Sequence, residues 1–194
     1  MALNSTRSRK KAVRILVLSI VASMLTLAQQ KGYLQPLADT AEQNQPGLYK
    51  VVSFADGDTI SVDMNGTTEK VRLIGVDTPE THDPRKAVQC FGQAAAAFTR
   101  QTIGANRVRL ESDPQNTNRD RYDRLLRYVY LPDGTLVNAE IIKQGFGFAY
   151  VYFPFSKLEE FKNYQKDAEK AKTGLWGECT PTTDTKGQSR SNDN

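Results

Sequence analysis

The chain has 194 residues, 39% hydrophobic and 25% charged, which suits one ordinary domain plus extensions and excludes a wholly disordered chain, a collagen-like repeat or a multi-span membrane protein. Its formal charge is +4, but five of the 26 Lys and Arg lie in residues 1–28, which hold no acid, leaving 21 basic side chains against all 22 Asp and Glu. Beyond residue 28 the chain is near neutral, so bulk basicity gives no argument for nucleic-acid binding, and a phosphate site must rest on local arginines.

Arg7, Arg9, Lys10, Lys11 and Arg14 precede an apolar stretch from Ile15 to Ala28 interrupted by Ser19, Ser23 and Thr26. A spanning helix takes about 20 apolar residues and a signal core about 7 to 15, and Thr26-Leu27-Ala28 offers a small-x-small cleavage site. Residues 1–28 are therefore expected to be a signal peptide, with a membrane anchor through residues 15–28 as the alternative. Either places the body outside the cytoplasm, secreted or in the periplasm or cell envelope. Residues 29–46 show no period and read as a flexible linker, and residues 180–194 contain no hydrophobic residue and read as a disordered polar tail. The folded unit is then 47–179.

Within it, Tyr49 to Phe54 and Thr59 to Met64 are β-rich, with Ile60, Val62 and Met64 alternating against Ser61 and Asp63. Asn65-Gly66 predicts a tight hairpin into a third strand near Thr68 to Ile74. That turn sets Met64 against Thr67, Thr59 against Arg72 and Asp58 against Leu73. Asp58, Arg72 and Asp77 thus share the hairpin's open end, although flat register points Asp58 and Arg72 to opposite faces, so their convergence needs a bulge or barrel curvature. Phe91 to Ile103 places Phe91, Ala94, Ala95, Phe98 and Thr102 on one helical side, closed by Gly104. Val108 to Glu111 and Leu125 to Leu131 predict strands; Leu136 to Lys143 and Ser156 to Ala171 predict helices, the last stopped by Thr173-Gly174. Five short strands with about three helices predict an α+β fold built on a five-stranded Greek-key barrel of OB type.

Four motifs recur in order: Asp56-Gly57-Asp58-Thr59, Arg72-Leu73-Ile74-Gly75-Val76-Asp77-Thr78-Pro79-Glu80, Asp120-Arg121-Tyr122-Asp123-Arg124 and Ala149-Tyr150-Val151-Tyr152. From about Val51 to Trp176 the chain resembles the thermonuclease, or micrococcal nuclease, family. That resemblance implies an OB barrel that uses Ca²⁺ to hydrolyse phosphodiester bonds of DNA and RNA, leaving 3′-phosphorylated products. It implies that Asp58, Asp77 and the Thr78 carbonyl hold Ca²⁺, that Glu80 activates the attacking water, and that Arg72 and Arg124 grip the phosphate. Tyr122, Tyr150 and Tyr152 would line the nucleotide pocket, with Arg121 beside them. Calcium accepts hard oxygen ligands in flexible number, and the planar fork of arginine suits two phosphate oxygens at once.

Each motif has a plainer reading. Asp56-Gly57-Asp58 is an ordinary turn, Asp77-Thr78-Pro79-Glu80 a helix start, and Arg119, Arg121, Arg124 and Arg127 among Asp120 and Asp123 a solvated, self-neutralising face. Tyr150 and Tyr152 serve equally as core aromatics or stacking platforms. His82 reads as a loop residue. The alternative function is a catalytically weak or inactive OB-type binding module for nucleic acid or protein. No obligate protein partner is expected, and the chain is expected to be a monomer that meets a membrane only through an uncleaved leader. The family's usual glycine before the second phosphate arginine is replaced by Asp123, whose carboxylate can pair with Arg124 and compete with substrate. The acidic Asp83, near the substrate entrance, adds to that opposition. Cys90 and Cys179, an even pair in an exported chain, are expected to form a disulfide, with two free thiols as the alternative.

Overall fold

The computed structural model of the chain describes residues 47–81 and 88–193, together with residues 17–19 and 23–24. The chain divides into Met1–Pro46 and Gly47–Asn194. In the first unit the described residues are helical, and Ser23 Oγ donates to the Ser19 carbonyl at 2.9 Å. The rest of the expected leader and the linker, like His82 and Asp83, lie outside the described residues. Among the described residues no helix is long and apolar enough to cross a membrane.

In the second unit β1 (Leu48–Phe54), β2 (Thr59–Met64), β3 (Thr67–Leu73), β5 (Arg107–Glu111) and β6 (Leu125–Tyr130) close a barrel in the order β1-β2-β3-β6-β5. The β2–β3 hairpin has the register its turn dictates, from Met64 opposite Thr67 to Thr59 opposite Arg72. Asn65 and Gly66 take φ of 57° and 88°, the left-handed pair that a two-residue turn needs to match strand twist. Ile60 and Val62 are fully buried with Val71, Val108 and Val129, while Met64 is only partly buried against this core.

Four helices are described in this unit: α1 (Gly92–Ile103), α2 (Val137–Lys143), α3 (Leu158–Ala171) and the short α4 (Leu175–Glu178). α1 buries Gly92, Ala95, Thr99 and Ile103, a stripe rotated from the expected one, while Phe98 stacks on Phe146 with ring centroids 4.1 Å apart. α3 starts later than expected because Ser156 is recruited elsewhere: its N–H and hydroxyl donate to the Asp113 carboxylate at 2.7 and 3.1 Å. It ends on Lys172 in a left-handed conformation. Two strands too short for a periodicity reading, β4 (Val76–Asp77) and β7 (Phe148–Ala149), pair antiparallel beside the barrel.

The expected disordered tail is an ordered hairpin, β8 (Thr182–Thr183) and β9 (Ser189–Arg190). Composition misleads here because hydrogen bonds rather than apolar burial hold the segment: Gln188 and Ser189 are each 1% exposed, Cys90 N–H donates to the Asn192 carbonyl at 2.8 Å, and Ser191 Oγ donates to the Cys90 carbonyl at 2.8 Å. Cys90 and Cys179 form the expected disulfide, with Cα atoms 6.0 Å apart, which anchors the root of this hairpin to the start of α1.

Candidate active site

Three chain segments meet where the β2–β3 hairpin opens. Asp58 lies just before β2 in a bend, so it escapes the strict alternation of strand side chains, and its carbonyl accepts the Leu73 N–H at 2.9 Å. Arg72 curls back over its own strand end, donating Nη1 to the Val76 carbonyl at 2.7 Å, and reaches Asp58 Oδ2 at 3.0 Å and Asp77 Oδ1 at 3.5 Å. The convergence therefore comes from a residue outside the strand and a long side chain, without a bulge in the β2–β3 pairing.

Buried helix residues brace the arrangement. Thr99 Oγ1 on α1 donates to the Gly57 carbonyl at 2.6 Å. Fully buried Asn138 on α2 accepts the Val129 N–H at 2.8 Å and donates to the Ile74 carbonyl at 2.9 Å. Gly75, with φ of 73°, makes the sharp turn into β4; a Cβ there would lie 2.5 Å from the Phe155 ring. β4 pairing sets Asp77 opposite Phe148, and the Tyr150 N–H donates to the Gly75 carbonyl at 2.9 Å, so Tyr150 arrives beside Asp77.

The electrostatics are crowded. Burial, then the neighbouring Asp58, pushes Asp56 up to about 7. Burial likewise pushes Asp77 up to about 6, against the pull of Arg72. Burial acts to lower Arg72, but Asp58, Asp77 and Asp56 outweigh it and hold its charge more firmly than usual. Arg72, with the Arg190 charge that also acts on Asp77, does not neutralise Asp56, Asp58, Asp77 and Glu80 together, and the buried Thr78 hydroxyl has no partner beside the Gly57 turn. A hard cation fits such oxygens. Among the described residues no three Asp, Glu, His or Cys side chains enclose a metal by themselves, so Asp58 and Asp77 would need backbone oxygen, such as the Thr78 carbonyl, and water to complete the shell.

Glu80 sits in the following loop, where its N–H donates to Gln89 Oε1 at 2.8 Å and its Oε1 accepts the Thr81 N–H at 2.9 Å. Its charge reaches Asp77. Arg124 comes from a separate segment. β3 and β6 pair in parallel, with Val71 opposite Leu125 and Arg72 opposite Leu126, so Arg124, just before β6, arrives beside β3 and its guanidinium reaches toward Thr59, the residue paired with Arg72. Asp120 then clamps the guanidinium: its Oδ2 accepts Arg124 Nε at 2.8 Å and lies 2.7 Å from Nη2, while Arg124 Nη1 donates to Thr59 Oγ1 at 3.3 Å.

Asp123 behaves otherwise than the sequence suggests. It adopts φ of 63°, the conformation glycine would take, but its carboxylate faces solvent and Arg119, 3.6 Å away, and the partner of Arg124 is Asp120. A cleft of about 460 Å³ opens between these groups, lined among others by Arg72, Asp77, Arg121, Tyr122, Arg124 and Tyr150. Tyr122 is exposed, with the Arg121 and Arg124 guanidiniums 4.7 and 5.3 Å from its ring centre. Tyr152 stands apart from the lining: it meets Tyr150 edge-on and donates its hydroxyl to Asp184 of the C-terminal hairpin. Tyr150 and Tyr152 also follow β7 rather than alternating along a strand.

Sequence reasoning assigned no role to Asp56, Asp120, Thr99, Asn138 or Gln188. Asp56, within the Asp56-Gly57-Asp58-Thr59 run, and Asp120, four residues before Arg124 among alternating charges, carried a local signal; the other three did not.

A closed OB-type barrel with an arginine-lined cleft beside buried Asp58 and half-buried Asp77 defines a class, that of barrels with an open, charged cleft at their strand ends. Comparison narrows it. Residues 70–178 match the family described as staphylococcal nuclease homologue. Thermonuclease of Staphylococcus hyicus is 38% identical over 165 residues, 84% of this chain and 94% of that protein, and thermonuclease of Staphylococcus intermedius is 38% identical over 165 residues, 84% and 95%. Endonuclease YncB of Bacillus subtilis (strain 168) is 38% identical over 138 residues, 69% of this chain and 64% of that protein. The chain belongs to the staphylococcal nuclease family.

Proposed function

We propose that this chain is an exported, calcium-dependent endonuclease that hydrolyses phosphodiester bonds of DNA and RNA to 3′-phosphorylated products. Its relatives named thermonuclease and endonuclease support the nuclease reading. The observation that carries it is the approach of Arg72 and Arg124 to one cleft, each guanidinium held by a carboxylate, next to the crowded acids Asp58 and Asp77. Asp58, Asp77 and the Thr78 carbonyl would hold calcium. When bound, calcium supplies positive charge against the second negative charge that a phosphodiester gains as water adds.

The chain's own groups do the rest. Arg72 and Arg124 hydrogen-bond phosphate oxygens whose charge grows in the transition state, which lowers the barrier more than it strengthens substrate binding. Glu80 accepts the proton of the attacking water. The bond to the 5′ oxygen breaks, that oxygen takes a proton from solvent as it leaves, and the phosphate stays on the 3′ side. Tyr122 and Tyr150 offer ring faces to flanking bases, a sequence-tolerant contact consistent with action on both nucleic acids.

The basic-then-apolar pattern of residues 7–28 supports export, as does the Cys90–Cys179 disulfide, a bond kept in oxidising compartments. Digestion of plasmid DNA and of RNA by the purified chain, with calcium or with EDTA, tests the activity. The expected result is cleavage of both with calcium alone, with ends that accept label only after phosphatase removes a 3′-phosphate. No cleavage by folded, calcium-loaded protein would leave a binding module instead.

A further inference from the structure

We infer that the C-terminal hairpin is a working part of the site, in which Gln188 is a positioning residue that fixes the Asp77 carboxylate for the cation; this rests on the calcium reading proposed above. Asp77 stands on a two-residue strand with its side chain 31% exposed, and its link from Oδ1 to Arg72 Nη2 is long, 3.5 Å. That leaves the carboxylate poorly restrained. The other oxygen, Oδ2, accepts a hydrogen bond from Gln188 Nε2 at 3.3 Å.

Gln188 is itself unable to turn. It is 1% exposed, its Oε1 accepts the Val151 N–H at 2.9 Å, and its Nε2 also donates to the Ser189 carbonyl at 3.0 Å. A flipped amide would set two donors against each other at Val151, so the orientation is dictated by its surroundings. The hairpin holds Gln188 in place from several sides. Asp184 Oδ1 accepts the Lys186 and Gln188 N–H groups at 2.8 and 3.0 Å, Tyr152 donates its hydroxyl to Asp184, and Ser189 Oγ accepts from Gln165 Nε2 of α3 at 3.3 Å.

The choice of group matters chemically. A lysine or arginine at this place would orient Asp77 but also neutralise it. A neutral amide orients the carboxylate and adds no positive charge to that of Arg72 and Arg190 already acting on it, as outer partners of metal ligands do. The tail's buried polar groups thereby acquire a purpose that their composition does not suggest.

Calorimetric titration of the full chain with calcium chloride tests this, in wild type, Gln188→Met and Thr182→Ala. Q188M has nearly the same length and no donor; T182A removes a hydroxyl from an exposed residue of the same hairpin, away from the contacts that hold Gln188 and Asp77. The expected result is a calcium dissociation constant raised about 10- to 100-fold in Q188M and unchanged in T182A. Cleavage by Q188M should regain a wild-type kcat at excess calcium, which a general loss of structure would not allow. Should Q188M fail to fold, Gln188→Asn, which retracts the donor by one methylene, is expected to shift the constant in the same direction. A constant within twofold of wild type in the folded variant overturns the positioning role. Wild type that binds calcium and cleaves nothing overturns the nuclease reading alone, and wild type that binds no calcium overturns both.

Discussion

Replacing Asp113 by alanine should loosen the wall of the cleft and cost the fold a few kcal/mol. Asp113 is 3% exposed, and its carboxylate accepts four hydrogen bonds: from Tyr128 Oη at 2.5 Å, Ser156 N at 2.7 Å, Gln115 N at 2.7 Å and Ser156 Oγ at 3.1 Å. The residues it joins adjoin two stretches of the cleft lining: Gln115 precedes Asn116 and Thr117, and Ser156 follows Phe153 and Phe155. Alanine strands the Tyr128 hydroxyl, whose residue is 3% exposed, whereas Ser156 and Gln115 are exposed and water replaces their partner. One buried orphan donor at about 1 to 2 kcal/mol, plus the lost charge-assisted strength, gives about 2 to 3 kcal/mol. In a domain of this size that is a fall in Tm of about 4 to 12 °C.

The effect should depend on pH with a defined sign. Burial acts to raise Asp113, but the donors from Tyr128, Ser156 and Gln115 outweigh it and hold the carboxyl below the usual range. Its contribution is therefore present above the unfolded value of about 3.9 and fades as pH falls through the lower native value, so the gap between wild type and variant should close in acid. Urea unfolding at pH 7 and pH 3 measures this, and steady-state kinetics should show a raised KM with kcat little changed. A loss under 1 kcal/mol at pH 7, or a gap that widens in acid, would refute the reasoning.

Glu80→Gln should retain the fold and calcium binding while lowering turnover about 10²- to 10⁴-fold, and Arg124→Ala should lower it at least as much; wild-type rates in either purified variant would sink the assignment. Asp123→Gly should raise stability by about 0.5 to 1 kcal/mol by relieving a left-handed aspartate, and leave kcat/KM within about twofold because its carboxylate faces Arg119 rather than Arg124. Reduction of Cys90–Cys179, which spans 89 positions, removes about 4 to 5 kcal/mol in the chain-entropy model, so melting should drop with dithiothreitol while cleavage at moderate temperature persists. With Asp77 and Asp56 pushed up to about 6 and about 7, the metal-free fold holds protons that the unfolded chain has already lost above pH 4, so this contribution to stability falls as pH rises to 7. Calcium must displace those protons, so its affinity measured by calorimetry should rise from pH 5 to pH 8.

Local rules were enough for the hairpin. An Asn-Gly turn sets two-residue register, so the pairing of Thr59 with Arg72 could be read by counting outward from Asn65, and the ordered run from Arg72 to Glu80 carried the family resemblance. Alternation marked Ile60 and Val62 as core because strand side chains repeat with period two. What lay beyond reach were contacts between segments distant in the chain. The parallel pairing of β3 with β6 brings Arg124 into the cleft that Arg72 lines, and nothing near either residue encodes a partner that only barrel closure selects. Asp120, rather than the adjacent Asp123, takes Arg124 because the left-handed turn at Asp123 swings its side chain outward to Arg119. The tail looked disordered since composition measures apolar burial, whereas Gln188 is held by amide and carboxylate partners on β4 and after β7, and such partners exist only once the fold has brought them together.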